Sequence, residues 1–309
     1  MTATAKLHLR LPATSANLGP GFDALGLAMA LYLTIDAETS EAFRIEATGR
    51  NADFCASLEN NLILTTYTDI LTTNNQPVPP LFLRIHNEIP LGMGCGSSAA
   101  ALLAGVFLAS HFGNLNWTGQ QILEEAARRE GHPDNVAACY HGGMTASAMS
   151  GNGVITATCG ENLTWNLLLA LPSASLATEK ARALLPPTYS HADAVANIQN
   201  TALLVAAFAQ NRKDLLRTAM QDRIHQPYRM EACPLLPRLL PLAGTSGILG
   251  VALSGAGPSV LLITDESNPT TLLPLIRQAA EDPTVEILQT TISAGATSLI
   301  EQIEKSQLR

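Results

Sequence analysis

The sequence lacks the features that mark several broad functional classes. No uncharged apolar run approaches the roughly eighteen residues that a membrane-crossing helix needs, and the opening MTATAKLHLR has no secretory apolar centre. A cytoplasmic protein without a membrane partner is expected. Lys and Arg form no cluster beyond Arg128–Arg129, and the net charge is −8, so no nucleic-acid partner is expected. The five cysteines, Cys55, Cys95, Cys139, Cys159 and Cys233, show no CxxC pair and no Cys/His spacing suited to zinc, which points to reduced thiols. Charge itself is scarce, at 14% of residues against 47% hydrophobic, which excludes disorder. At 309 residues the chain can form one large or two ordinary domains and bury roughly three quarters of its unfolded surface. Small-molecule work remains. An anionic nucleotide would have to be held by backbone donors, a metal ion and a few placed arginines.

Against these absences stands one glycine-rich stretch, Pro90 to Ala101, PLGMGCGSSAAA, which runs into an Ala/Leu-rich helical segment. It has no lysine after its last glycine, as a Walker A loop would, and does not follow the dinucleotide-binding GxGxxG pattern. It reads as a phosphate cradle all the same. Gly92, Gly94 and Gly96 can take left-handed angles and aim N–H groups inward, and Ser97 and Ser98 open a helix whose positive end suits an anion. The whole loop, Pro90, Leu91, Gly92, Met93, Gly94, Cys95, Gly96, Ser97, Ser98, Ala99 and Ala100, is the candidate polyphosphate site. Cys95, beside the helix start, is expected to be the most reactive thiol.

Around the loop, alternation predicts a strand over 5–12, while Ala13–Gly26, ATSANLGPGFDALG, is too rich in Gly, Pro and Asn for regular structure and reads as a loop. Strands are predicted over Leu27–Ile35, Phe43–Ala47 and Phe82–Asn87, and a helix over Asn60–Leu71 that Asn61 could cap. Thr118–Glu130 reads as a helix with a Thr118/Gln121 capping box. It ends in Glu130-Gly131-His132-Pro133-Asp134-Asn135, a carboxylate, an imidazole, a second carboxylate and an amide within six residues. Val136–Ala148 continues apolar, and VITATCG with NLLLALP reads as a pair of strands. Beyond Pro172 the chain turns helical, with helices over His191–Ala209 and Leu215–Met220. A strand, turn and strand over Gly250–Leu262, a helix over Thr270–Ala280 and a strand over Val285–Ile292 complete it. The boundary falls between about 165 and 180, and we draw the domains as 1–170 and 171–309.

The phosphate loop resembles, almost letter for letter, the PxGxGxGSSAA motif of the GHMP small-molecule kinases, and SGAGPS at 254–259 is similar to their third motif. Met93 and Cys95 depart from the usual small residues at variable positions. Four further segments resemble the homoserine-kinase members of that family: ATSANLGPGFDALG, EGHPDN, TEKARALLP (Thr178–Pro186) and DRIHQPYRM (Asp222–Met230). The resemblance implies an α+β, two-domain GHMP fold: an N-terminal ribosomal protein S5 domain 2-like β/α domain that binds ATP, and a C-terminal ferredoxin-like α+β sandwich. It implies ATP-dependent phosphorylation of the L-homoserine hydroxyl to O-phospho-L-homoserine, a step of threonine synthesis, in a homodimer. Asn17 and Asp23 would contact homoserine, Asp23 through its ammonium, and His132, Arg182 and Arg229 would hold its carboxylate. Asn61 would be an adenine contact, and Gly255 and Gly257 a second backbone lip over the site.

Phosphoryl transfer needs a divalent ion on the phosphates and an oriented hydroxyl, with little covalent work for the protein. Ser98 and Glu130 are the candidate Mg²⁺ ligands, since this hard ion takes oxygen donors. Asp134 is the candidate base, whereas Asn135 could orient the hydroxyl with no base at all. A GHMP kinase for another alcohol, such as mevalonate, and a ligand-binding homologue without turnover are the alternatives. The first would leave Asp23 without an ammonium partner, and the second would be expected to lose Ser98, Glu130 or Asp134.

Overall fold

The computed structural model describes residues 6–151, 153–173 and 178–296. Its first sheet contains β1 (Lys6–Asn17), β2 (Gly21–Thr39), β3 (Arg44–Gly49), β4 (Leu81–Asn87), β5 (Met144–Ser150) and β6 (Gly153–Cys159). The order is β3-β4-β2-β5-β6, with β1 paired to β2 and only β3 and β4 parallel. Four helices cover it: α1 (Leu62–Thr73), α2 (Ser97–Phe112), α3 (Gly119–Glu130) and α4 (Asp134–His141). The predicted Thr118/Gln121 capping box opens α3.

Two expectations fail in this half. The 13–26 segment is not a loop: β1 and β2 form a long hairpin whose turn is confined to Leu18–Pro20. Ala13, Thr14, Ser15 and Ala16 are all buried. Small side chains let β1 pass close beneath the neighbouring elements, and register shifts after Pro12 and Ala16 absorb the irregularity. The apolar run after the EGHPDN cluster resolves into α4 and β5. VITATCG therefore pairs with β5, and not with NLLLALP.

NLLLALP instead supplies β7 (Asn166–Leu171), which joins β8 (Ile248–Leu253), β9 (Val260–Thr264) and β10 (Glu286–Thr291) in a second, antiparallel sheet of order β10-β7-β9-β8. Taken in chain order, the strands lie fourth, first, third, second, the ferredoxin-like arrangement. Sheet membership changes between Cys159 and Asn166, ahead of the division drawn at 170/171, part of whose expected range lies outside the described residues. Helices α5 (Thr178–Ala183) and α6 (His191–Ala209) and the short turns Leu216–Ala219, Gln226–Arg229 and Leu235–Leu239 connect β7 to β8, and α7 (Leu273–Ala280) precedes β10.

Strands β7, β8 and β9 are buried on both faces, which explains their apolar runs, whereas the edge strand β10 is largely exposed. Leu167, Leu169 and Leu261 enter the large core shared with the first sheet, whereas Leu168, Ala170 and Leu262 pack with Leu236, Leu239 and Ile276. No helix among the described residues is long and apolar enough to cross a membrane.

Candidate active site

The glycines of the phosphate loop have the conformations that their spacing predicts. Gly92, Gly94 and Gly96 lie at φ +68°, +75° and +69°, where a side chain is disfavoured. Two of them also lack room for one. A Cβ on Gly94 would sit 2.1 Å from Ser254 O, and one on Gly96 would sit 1.8 Å from Thr14 Oγ1. The loop is pinned between β1 and the SGAGPS turn: Thr14 N donates to Cys95 O at 3.0 Å, and Ser254 Oγ to Gly94 O at 2.8 Å. Gly96 caps α2 without a side chain, and no acidic residue stands in the first turn. The helix start thus offers its N–H donors and dipole to an anion.

A cavity of ≈ 220 Å³ opens beside this loop. Gly92, Gly94, Cys95, Gly96, Ser97 and Ser98 line one side, and Asn17, Asp23, Glu130, His132, Asp134, Asn135, Arg182, Arg229 and Gly255 complete it. The remaining loop residues face elsewhere. Ala99 and Ala100 are buried in the core, and Pro90 and Met93 border a different cavity. Gly257 also departs from expectation, since a Cβ there would point at Cys233 Sγ and Leu253. Its neighbour Ala256 takes its place in the lip.

Within the cavity, Ser98 Oγ donates to Glu130 Oε2 at 3.0 Å. Burial pushes the Glu130 carboxyl above its ordinary range despite the opposing influence of His132 and Ser98. His132 meets Asp134 Oδ1 through Nδ1 at 2.7 Å. Burial pulls its pKa down, but the bond to Asp134 and its charge outweigh this, and the net shift is upward. The same Asp134 oxygen accepts the Asn135 amide at 2.7 Å, and Asn135 Oδ1 accepts from Thr14 Oγ1 at 2.7 Å. Asp23, His132 and Asp134 bring ligand atoms within 4.8 Å of one another. The imidazole makes that trio a poor match for Mg²⁺.

At the far end, Arg182 Nη1 and Nη2 donate to the two oxygens of Asp23, both at 2.8 Å. The bidentate bond to Asp23 raises the Arg182 pKa. Asn17 spends its amide on the backbone, donating to Gly255 O at 2.9 Å and accepting Asp23 N at 3.0 Å. Arg229 is 1% exposed, and its Nε donates to Ala181 O at 3.1 Å. Phe22 lies beneath both guanidiniums, 5.3 Å from Arg182 and 5.5 Å from Arg229.

A second cavity, of ≈ 310 Å³, shares Gly92, Ser97 and Ser98 with the first and is mostly apolar, with Phe54, Leu62, Ile85, Ile89, Leu91 and Ala101 in its wall. Asn61 lines it, but its side chain is committed. Oδ1 accepts Ile63 N and Leu64 N, and Nδ2 donates to Cys55 O and Ser57 O. It caps α1 and leaves no free amide edge for a base, which corrects the expectation of a direct adenine contact.

Family models for the GHMP kinases N terminal domain and the GHMP kinases C terminal match residues 61–143 and 204–273. A homoserine kinase of Solibacter usitatus is 49% identical over 256 residues, covering 82% of this chain and 84% of the relative. The chain belongs to the homoserine kinases. The crystal structure of a homoserine kinase from Cytophaga hutchinsonii superposes with a TM-score of 0.80 at 24% identity, covering 96% of this chain and 98% of that one. An L. major mevalonate kinase in complex with R-mevalonate shares the fold, with a TM-score of 0.74, 14% identity and coverage of 95% and 98%. As a homoserine-kinase family member the protein is an ATP-dependent phosphotransferase of GHMP fold.

Its homoserine-kinase segments converge from opposite ends of the chain. Three neighbours were not singled out from the sequence: Thr14, which holds Asn135; Phe22, which floors the arginines; and His225, which touches Arg229. The first two fall inside the ATSANLGPGFDALG signature and the third inside DRIHQPYRM, so the segments themselves carried the signal. Cys95 goes the other way. It is 1% exposed, and burial pushes its thiol to about 11, so the helix start does not make it reactive.

Proposed function

We propose that this protein transfers the γ-phosphoryl group of ATP to the side-chain hydroxyl of L-homoserine. The observation that carries the reading is the shared wall of the two cavities: the phosphate loop separates a mostly apolar chamber from one lined by three carboxylates, an imidazole and two arginines. ATP would lay its base in the apolar chamber and its phosphates on the loop. Homoserine would place its ammonium at Asp23 and its carboxylate at Arg182, Arg229 and His132, with Asn17 and Gly255 holding the Asp23 end in place.

Mg²⁺ belongs to the same reading. Ser98 Oγ and Glu130 Oε2 are paired oxygen donors of the kind a hard cation takes, and a half-buried carboxylate whose charge burial disfavours gains from a cation. Ser98 and Glu130 would hold the ion, which supplies charge neutralisation on the phosphates. Glu130→Gln is expected to shift the Mg²⁺ titration of the rate to higher concentration; an unchanged titration removes Glu130 from the metal.

For the transfer itself, Asp134 spends Oδ1 on His132 and Asn135, which supports a positioning role, and a loose transition state asks little of a base. Asn135, fixed by Thr14, then orients the hydroxyl. The same reading includes a homodimer in the cytoplasm, carried over from the resemblance, and two domains divided just ahead of β7, where sheet membership changes. Sedimentation at micromolar concentration tests the dimer.

The deciding experiment is ADP release with Mg·ATP and a panel of L-homoserine, L-threonine, L-serine and mevalonate. Turnover with homoserine alone is expected. Turnover with mevalonate alone overturns the Asp23 assignment, and ATP binding without turnover on any alcohol favours a non-catalytic homologue.

A further inference from the structure

Arg229 owes its position to a residue that touches no substrate. His225 is fully buried. Its Nε2 lies 2.7 Å from Gly19 O, and its Nδ1 lies 3.0 Å from Arg229 Nη1. A carbonyl oxygen can only accept and a guanidinium can only donate, so the ring must carry its hydrogen on Nε2 and present a lone pair at Nδ1. It is therefore a neutral imidazole of one fixed tautomer. Phe22 stacks on it at 5.3 Å, the same ring that floors the two arginines. The turn that carries it is set by Asp222, whose carboxylate accepts the amides of Ile224, His225 and Gln226 at 2.8, 3.0 and 2.6 Å.

We propose that His225 is a positioning residue for substrate recognition: its neutral ring ties Arg229 to the tip of the β1–β2 hairpin, so that the guanidinium and Asp23 keep a fixed separation across the cavity. The proposal rests on the homoserine reading for its substrate. The hairpin end delivers Asp23, the Gln226–Arg229 turn delivers Arg229, and the imidazole bonds to both segments. Arg229 has a second backbone anchor at Ala181 O, on the helix that carries Arg182. The buried contacts of His225 and Arg229 thus join the three segments that carry these charges.

Two substitutions separate the halves of this link. Asn places its amide oxygen near the Nδ1 position, and Gln places its amide nitrogen near the Nε2 position. His225→Gln keeps the Gly19 contact and loses the acceptor for Arg229. It is expected to raise the homoserine KM about ten-fold or more, as loss of a hydrogen bond to a charged group implies, with kcat and the ATP KM within two-fold. His225→Asn keeps the acceptor and is expected to raise the homoserine KM less, while lowering the melting temperature through loss of the Gly19 anchor. Equal rises in both variants, or an unchanged KM in His225→Gln, overturn the proposal. Long-range ¹H–¹⁵N correlation spectra of the wild-type protein should show the Nε2–H tautomer for His225. An Nδ1–H or doubly protonated ring at neutral pH also overturns it, whatever the substrate proves to be. Failure of the wild type to phosphorylate homoserine is read separately, from the alcohol panel.

Discussion

The two cavities on either side of the phosphate loop hold their ligands by opposite means. In the smaller one the side chains that face a ligand across the glycine-rich backbone are charged or polar and already bonded: Asp23 to Arg182, His132 to Asp134, Ser98 to Glu130 and Arg229 to Ala181 and His225. In the larger one the wall is mostly hydrocarbon, and of its side-chain amides Asn61 is spent on capping and Asn87 on the backbone of Arg50 and Ile89. A ligand entering the first must exchange charge for charge, so it is chosen by its own pattern of charges. A ligand entering the second is held by shape and apolar contact, which an aromatic base satisfies without matching hydrogen bonds. On the proposed reading the substrate end is the discriminating end, and the nucleotide end the permissive one.

Mutations can break that contrast. Arg229→Ala should have the largest effect, because it removes a buried cation and strands its partners: a loss of about 2–3 kcal/mol, or roughly 30- to 150-fold in homoserine KM, with the ATP KM unchanged. Arg182→Ala should act in the same direction but more weakly, about three- to ten-fold, since its pair with Asp23 is partly solvated. Steady-state kinetics with each substrate varied in turn measures both, and equal rises for ATP and homoserine would sink the division of labour. Phe54→Ala, at the apolar mouth, should invert the pattern, raising the ATP KM about five-fold through the loss of roughly 1 kcal/mol of aromatic contact. Asn61→Ala should cost about 1 kcal/mol of stability as a lost cap while leaving the ATP KM within two-fold; a large ATP effect without a melting shift would restore the direct base contact. The smallest effect is chemical: iodoacetamide should label the half-buried Cys55 and Cys159 ahead of Cys95, Cys139 and Cys233, and ATP should protect Cys55, which lines the apolar chamber.

How much of this was visible in the sequence follows the same contrast. The charged cavity was legible because its chemistry resides in residue types clustered locally, GMGCGSS and EGHPDN, or carried in segments such as TEKARALLP that keep their character. The apolar chamber left no such trace. Phe54, Ile85, Leu91 and Ala101 come from separate elements, and each reads locally as ordinary core. The hairpin was misread for a related reason: Gly, Pro and Asn around 17–26 signal a turn, yet only Leu18–Pro20 turns, and pairing with β2 claims the rest. Cys95 was misjudged because proximity to a helix start says nothing about burial. The link from His225 to Gly19 spans 206 positions and has no local signature.

That span bears on how the protein is made. The hairpin tip, with Gly19, Pro20 and the fully buried Leu18, leaves the ribosome well ahead of its anchors Asn197, Thr201 and His225, which follow 177 to 206 positions later. At ~5–20 residues per second, the wait for His225 is on the order of 10–40 s. During that interval the first sheet can form, while its tip, held by left-handed Asn17 and Leu18, has nothing to close on. The nascent chain therefore carries an unfinished edge until these anchors arrive, and the pocket is complete only once Arg229 and Gly255 have followed.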